Sequence, residues 1–293
     1  MIRPPQSEGR RLLFLAPVTS PGSSDSFGHS VVDPSRHEGL LAALQRLRGQ
    51  VYAGDGAIPL SGLDPAGRYS MAADEESWHL ILLDKQNLVS GCVRFLVHRP
   101  PTVFDRLQIR HSALSRSSEW GQQVRSAVAA EMRGAQECNS LYVEVGGWAL
   151  SAGQRGSTAA VMFITGTYAW SQLIGGCFGL CTATERHRSA SLLRRAGGSP
   201  LAFRGDRLPA YYDSAYGCRM EILRFDSRTP SPRLLPLVAE MKLHLAGIPV
   251  IRPAPSTPAQ RTREENRFSD DLERLNQAVT PTVPSELISR PHT

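Results

Sequence analysis

The stretch SLYVEVGGWALSAGQRGSTAA, residues 140–160, decides the fold. Leu141, Val143 and Val145 alternate with Tyr142, Glu144 and Gly146. That is the period of a β-strand, so Glu144 projects from the face opposite the valines. Gly146-Gly147, just before Trp148, breaks the alternation as a β-bulge does. A bulge can splay a strand from its neighbour and leave backbone N–H groups free for a carbonyl oxygen. Downstream, Gln154, Arg155, Gly156, Ser157 and Thr158 open a helix predicted over 157–174. Small residues there let backbone amides approach a phosphate, and a helix N-terminus favours negative charge. The plain alternative is a kinked strand followed by an ordinary strand-to-helix loop.

Outward from this stretch the elements alternate. Upstream, Asp33 is an N-cap and Pro34 a first helical residue. Leu40, Leu41, Leu44, Leu47 and Val51 then recur at helical spacing up to the turn cluster at 53–56. WHLILLD (78–84) and LVSGCVRFLVH (88–98), joined by Lys85-Gln86-Asn87, predict an antiparallel hairpin. RLQIRHS (106–112) reads as a further strand, and a helix is predicted over 118–138. Downstream come a strand at 177–184, a helix over 185–196 and a strand at 219–226. The helix between the strands at 140–150 and 177–184 makes that pair parallel. The class is α+β, or mixed α/β, with a mostly antiparallel central sheet.

The chain has 293 residues, with a body expected at 33–251. Residues 1–32 read as a loose arm rich in Pro, Ser and Gly. Residues 252–293 read as a mostly disordered tail with one short helix in RTREENRFSDDLERLNQAV. Hydrophobic residues at 41% supply a core without a metal or disulfides. No stretch has the length of a membrane span. Cysteine occurs 5 times without paired spacing, which argues for a reducing, cytoplasmic setting. The net charge of +6 rests almost wholly on arginine, since Lys85 and Lys242 are the lysines. The arginines are dispersed rather than striped, which argues against nucleic-acid binding. Zinc-site spacing and a Gly-x-Ser-x-Gly elbow are both missing, so neither a metal nor a serine nucleophile is expected.

A second segment, TERHRSASLLRRAGG (184–198), crowds Arg186, Arg188, Arg194 and Arg195 onto a short helix. Its bland reading is a solvated basic face.

The element order and these two segments resemble the GNAT acyltransferase fold. There, a splayed central strand receives the acyl thioester, and the following loop and helix N-terminus cradle a pyrophosphate. More narrowly, the chain resembles acyl-homoserine-lactone synthases and long-chain N-acyl amino acid synthases over residues 33–226. Arg48 and Tyr52 match an arginine and an aromatic of the first helix. Asp64 and Asp74 match acidic residues of the next loop, Gly91-Cys92-Val93-Arg94 a Gly-x-x-Arg strand, and Glu144 the glutamate of the splayed strand. Ile58 stands where those synthases have tryptophan, and Gly147 where they have arginine. Gly153 and Thr158 depart from the usual phosphate loop. A homoserine-lactone product is therefore not predicted.

The resemblance implies acyl transfer from acyl-CoA or an acyl carrier protein's phosphopantetheine to a primary amine, with an amino acid or its derivative among the candidate acceptors, and with no bound metal and no covalent cofactor. It implies Glu144 as general base, N–H groups at Gly146 and Gly147 as oxyanion donors, and Arg155 and Arg188 beside the phosphates. Because the last helix lacks the usual tyrosine, His187 stands in as proton donor to the thiolate. Arg48, Tyr52, Asp64, Asp74, Arg94, Trp148, Tyr211 and Tyr212 are expected around the acceptor, with Tyr216 nearby. The alternative class is a GNAT-like module that binds an acyl thioester or a protein partner without turnover.

Overall fold

The computed structural model describes residues 9–18, 27–99 and 102–254. The short helix expected in the tail lies outside them. The chain begins with β1 (Arg11–Leu15), β2 (Ser30–Val32) and α1 (Pro34–Gly54). The hairpin β3 (Trp78–Leu83) and β4 (Val89–His98) follows, then α2 (Gly121–Glu137), β5 (Leu141–Leu150), α3 (Ala159–Leu173), β6 (Cys177–Thr184) and α4 (Ser189–Arg195). Four short strands come next, β7 (Ser199–Pro200), β8 (Ala202–Phe203), β9 (Asp206–Arg207) and β10 (Tyr211–Asp213). The chain closes with β11 (Cys218–Asp226), α5 (Leu235–Ala246) and β12 (Val250–Arg252).

Several local signals act as the residue types require. Asp33 accepts the Arg36 N–H at 3.0 Å and starts α1, with Pro34 as its first residue. Asp84 Oδ1 accepts the amides of Gln86 and Leu88, both at 2.9 Å, and so builds the β3–β4 turn.

The main sheet runs β10-β11-β6-β5-β4-β3-β1-β12-β2, with β7 paired to β11. The pairs β5–β6, β1–β12 and β12–β2 are parallel, and the others are antiparallel. Strand alternation then sorts side chains by face. Val93, Phe95, Val143 and Val145 join Phe163 and Trp170 of α3 and Met241 and Leu245 of α5. Phe95 stacks on Trp170 at 4.3 Å between centroids. The opposite face is covered by α1 over Leu13, Leu15, Ile81 and Cys92, and by α2 over Tyr142, Leu180 and Ile222.

Three expectations are corrected. Residues 11–15, assigned to a loose arm, form β1 between β3 and β12, because Leu12–Leu15 can be buried only inside the sheet. Residues 106–112 form 3-10 turns rather than a strand, because the amides of Gln108 and Ile109 bond the Glu144 carboxylate instead of a neighbouring strand. The helix expected from 185 starts at Ser189, since His187 and Arg188 have φ of 57° and 61°. Helix α5 adds an element beyond those expected, although Pro236 opens it, Gly247 caps it and Val238, Met241 and Leu245 recur at helical spacing.

Candidate active site

The sheet opens at the predicted place. Parallel pairing between β5 and β6 ends at Glu144 opposite Leu180, while β6 stays paired with β11 as far as Thr184. On the other edge the β4–β5 register shifts between Arg94, opposite Gly146, and Cys92, opposite Ala149. Two residues of β5, Gly147 and Trp148, thus face Val93 alone, and Gly147 takes φ +60°. That is a bulge with its glycine in the left-handed region. Successive residues of a strand aim their N–H groups at opposite edges. Of Val145 and Gly146, one must therefore direct its N–H into the gap left by β6. Tyr52 Oη donates to the Trp148 carbonyl at 3.2 Å, and the Trp148 ring packs edge-on to Phe163.

Over the bulge lies a buried charge cluster. Arg48 of α1 is fully buried and Asp74 is 1% exposed, so this pair has to satisfy itself internally. Arg48 donates through both terminal nitrogens to Asp74, one at 2.9 Å, and through Nε and Nη2 to the Tyr69 carbonyl. Asp74 also accepts from Gln45 Nε2 at 3.2 Å and the Met71 amide at 2.9 Å. Burial pushes its carboxyl up, but the Arg48 bonds and charge and the Met71 N–H outweigh this and hold it below the usual range. Arg94 Nη1 approaches Asp74 at 3.5 Å and Met71 Sδ at 3.3 Å. Beneath, His79 donates to the Asp74 carbonyl at 2.8 Å, and burial pushes its pKa down to about 4, so it is neutral. Tyr52 contacts the rings of Tyr69 and Tyr216 at 5.8 and 6.5 Å. Burial pushes the Tyr216 phenol up to about 12.

Glu144 shares the sheet face of Arg94 but does not pair with it. Its carboxylate accepts from His98 Nε2 at 2.9 Å and from the amides of Gln108 and Ile109, both at 2.8 Å. Burial pushes this carboxyl up as well, yet the His98 bond and charge and the two amides leave it below the usual range. Glu144 is thus an ionised carboxylate that also pins the 108–111 turn to the sheet. His98 was missed, although it lies four residues after Arg94 on one strand and so on the same face.

Other site residues fall elsewhere. Asp64 accepts the amides of Ala66 and Arg68 at 2.9 and 2.8 Å and pairs with Arg68 Nε at 2.6 Å, shaping its own turn instead of joining Asp74. Tyr211 is buried in the α2-side core, and Tyr212, on the opposite face of β10, is 63% exposed. Alternation leaves only Tyr211 on the sheet face of Glu144, where it packs into the α2-side core, and it is Tyr216 whose ring contacts Tyr52.

The loop before α3 has spent part of its capacity. The amides of Gln154, Arg155 and Ser157 bond within the turn at 2.9, 3.3 and 3.3 Å, and Gln154 is buried. Gly156, at φ +75°, and Thr158 have no acceptor for their N–H groups among the described residues. Arg155 is drawn to Asp55, at the C-terminal end of α1, at 2.9 and 3.0 Å. His187 Nε2 lies 3.6 Å from the same carboxylate, and Arg186 donates to the Asp55, Tyr216 and Gly217 carbonyls. Arg188 is exposed. Among the described residues no helix is long and apolar enough to cross a membrane.

A splayed parallel pair, a bulge on the inner strand and a helix opening after it define the GNAT type of acyltransferase fold. The chain resembles a CoA-dependent acyl-homoserine lactone synthase, BjaI, solved with SAM and isopentyl-CoA, with a TM-score of 0.52 and 13% identity over 88% of this chain and 100% of that one. A second CoA-dependent synthase, MesI, gives 0.48 and 15% over 81% and 96%. FeeM, an N-acyl amino acid synthase from uncultured soil microbes, gives 0.40 and 13% over 68% and 88%. At 13% identity the likeness to BjaI speaks for the fold alone and leaves substrates open. No family model matches the sequence. No curated protein matches it either.

Proposed function

We propose that this protein is an N-acyltransferase that moves an acyl group from an acyl thioester to a primary amine. The observation that carries the reading is the opening between β5 and β6 after Glu144, with the Gly147 bulge beside it. An acyl thioester laid in that gap can place its carbonyl oxygen against a free strand N–H. Its phosphates then meet the Gly156 and Thr158 amides and the start of α3, where the helix dipole favours negative charge. The donor is acyl-CoA or the phosphopantetheine of an acyl carrier protein.

The acceptor enters over the other face, where Arg48, Asp74, Arg94 and Tyr52 lie. The amine nitrogen attacks the carbonyl carbon, the C–S bond breaks, and the sulfur leaves as thiolate. Thiols titrate near 8.5, so the departing sulfur needs no fixed acid. His187 is exposed and turned to Asp55, and we assign it no acid role. The amine arrives partly protonated, and its proton passes to the Glu144–His98 pair through water. A carboxylate has about four acceptor positions, and three of Glu144's are taken, which leaves one.

The same three bonds favour the second reading, a non-catalytic module in which Glu144 is a structural anchor. Mass spectrometry of lipid extracts from cells expressing the wild type or Glu144→Gln separates the two. A new N-acyl product from the wild type, strongly reduced in the folded variant, supports the enzyme. Lack of any acylated product with a range of donors and amines rules it out.

A further inference from the structure

The opening between β5 and β6 has a floor. Below it the strands are paired, Glu144 with Leu180 and Val143 with Gly179. On the α3 face the ring of Phe225, cross-strand from Gly179, fills the place a side chain at Gly179 would take. Tyr168 of α3 meets that ring edge-on at 5.8 Å between centroids. On the α2 face the Gln108 and Ile109 amides hold the Glu144 carboxylate, and Ile109 and Leu180 join one buried cluster. Val143 and Leu180 are at most 1% exposed. A side chain with no accessible surface has no water-sized void against it, so both layers under the opening are filled.

Above the floor the lining is apolar and half-buried. Val145 and Cys181 continue the two strands one residue past the last rung, on the α3 face. Burial pushes the Cys181 thiol up to about 12, so it stays neutral. Leu193 of α4 packs into the same small cluster as Cys181, and Trp148 lies against Phe163 of α3. Topology decides which part of a donor reaches the floor. The Gly156 and Thr158 amides follow the far end of β5, where the gap is open. A donor with its phosphates there and its carbonyl at the Val145 or Gly146 amide points its acyl group at the floor. Those amides stand one or two residues past the last rung, about 3–7 Å at the rise of a strand. With C–C bonds of about 1.5 Å, that is room for about two to four of them.

We propose that the donor carries a short acyl chain, up to about five carbons, and that Phe225 sets this limit. This rests on the acyl-transfer reading and narrows its donor class. A longer chain has two courses. It displaces the Phe225 ring from Gly179, or it leaves the slot and lifts the carbonyl from its amide. Both weaken the complex, because forcing extra methylenes into a filled interior is unfavourable.

The test is calorimetric titration of the full chain with acetyl-, butyryl-, octanoyl- and dodecanoyl-CoA, one at a time. Acetyl- and butyryl-CoA should bind, with the two longer donors about 10- to 100-fold weaker, the range for overpacking an interior. Phe225→Ala removes the ring, and Phe225→Leu trims it while keeping the core apolar. Each should shift the ratio of octanoyl- to acetyl-CoA affinity toward octanoyl, by about tenfold or more in Phe225→Ala. The wild-type series decides by itself if a variant fails to fold. The proposal is overturned if no acyl-CoA binds, if the wild type binds octanoyl- or dodecanoyl-CoA as tightly as butyryl-CoA, or if both folded variants keep the wild-type ratio. Thiol release with simple primary amines is followed in parallel. Equal turnover of short and long donors would sink the chain-length limit and keep acyl transfer. Short-chain-selective binding without thiol release from any donor would do the reverse.

Discussion

Gly147 lies directly beneath Arg48. A Cβ placed on it would stand 3.0 Å from Arg48 Nη1 and 3.1 Å from Arg94 Cβ, in a residue whose φ is already +60°. The bulge of the splayed strand and the buried arginines are therefore one construction. Gly147→Ala should lose about 1–2 kcal/mol from the left-handed backbone alone, and more as the Arg48–Asp74 pair is pushed apart. Urea unfolding measures the loss. A wild-type midpoint would show that the bulge and the arginines are independent.

Glu144→Gln is expected to weaken the fold as well as the reaction. The carboxylate accepts the amides of Gln108 and Ile109 on separate oxygens, so the NH2 of a glutamine must face a donor. A buried clash of this kind costs about 1–3 kcal/mol. A general base adds about 10²–10⁴-fold in rate. A folded Glu144→Gln protein with lowered midpoint but normal turnover would make Glu144 an anchor only.

Stability should fall as the medium turns mildly acidic. His79 is buried neutral, with its pKa lowered from 6.5 to about 4. The unfolded chain takes up the proton first, so the contribution is full above 6.5 and disappears between there and about 4. The shift corresponds to about 3 kcal/mol. His37, buried against the Ala16 carbonyl, titrates in the same sense. Asp74 and Glu144, both lowered, act only below the ordinary carboxylate range. Denaturant midpoints between pH 7 and 4.5 should drop in the wild type and flatten in His79→Gln; parallel curves would refute the assignment.

On the acyl-transfer reading, Asp55 would compete with the donor's phosphates for Arg155, which it holds at 2.9 and 3.0 Å. The pair is partly exposed, so Asp55→Asn should change stability by no more than about 1 kcal/mol. It should also free Arg155 and tighten acyl-CoA binding several-fold, while Arg155→Ala and Arg188→Ala weaken it. These effects should shrink with added salt. Donor affinity insensitive to all three substitutions would place the phosphates elsewhere.

Local signals were sufficient wherever a residue acts on its immediate neighbours. Asp33-Pro34 starts α1, the Asp84 turn closes the hairpin, and the alternation of 141–146 sends Val143 and Glu144 to opposite faces. The Gly146-Gly147 break was legible for the same reason, as was the pairing of Tyr52 and Arg48 on one face of a helix. His98 was equally readable from strand period and was passed over.

What the sequence by itself determined is the class of fold and the position of the opening in its sheet, because both follow from period, caps and glycine. Tertiary structure decided everything that depends on a distant partner. RLLFL at 11–15 carries no turn or cap and becomes a strand only by pairing with β3 and β12. The Glu144 carboxylate meets His98 and the 108–109 amides rather than Arg94, and Arg155 is drawn to a carboxylate a hundred residues earlier. Burial of Arg94 with its Nε unpaired is likewise invisible in composition or spacing, since an unmet hydrogen bond exists only once the chain has closed around it.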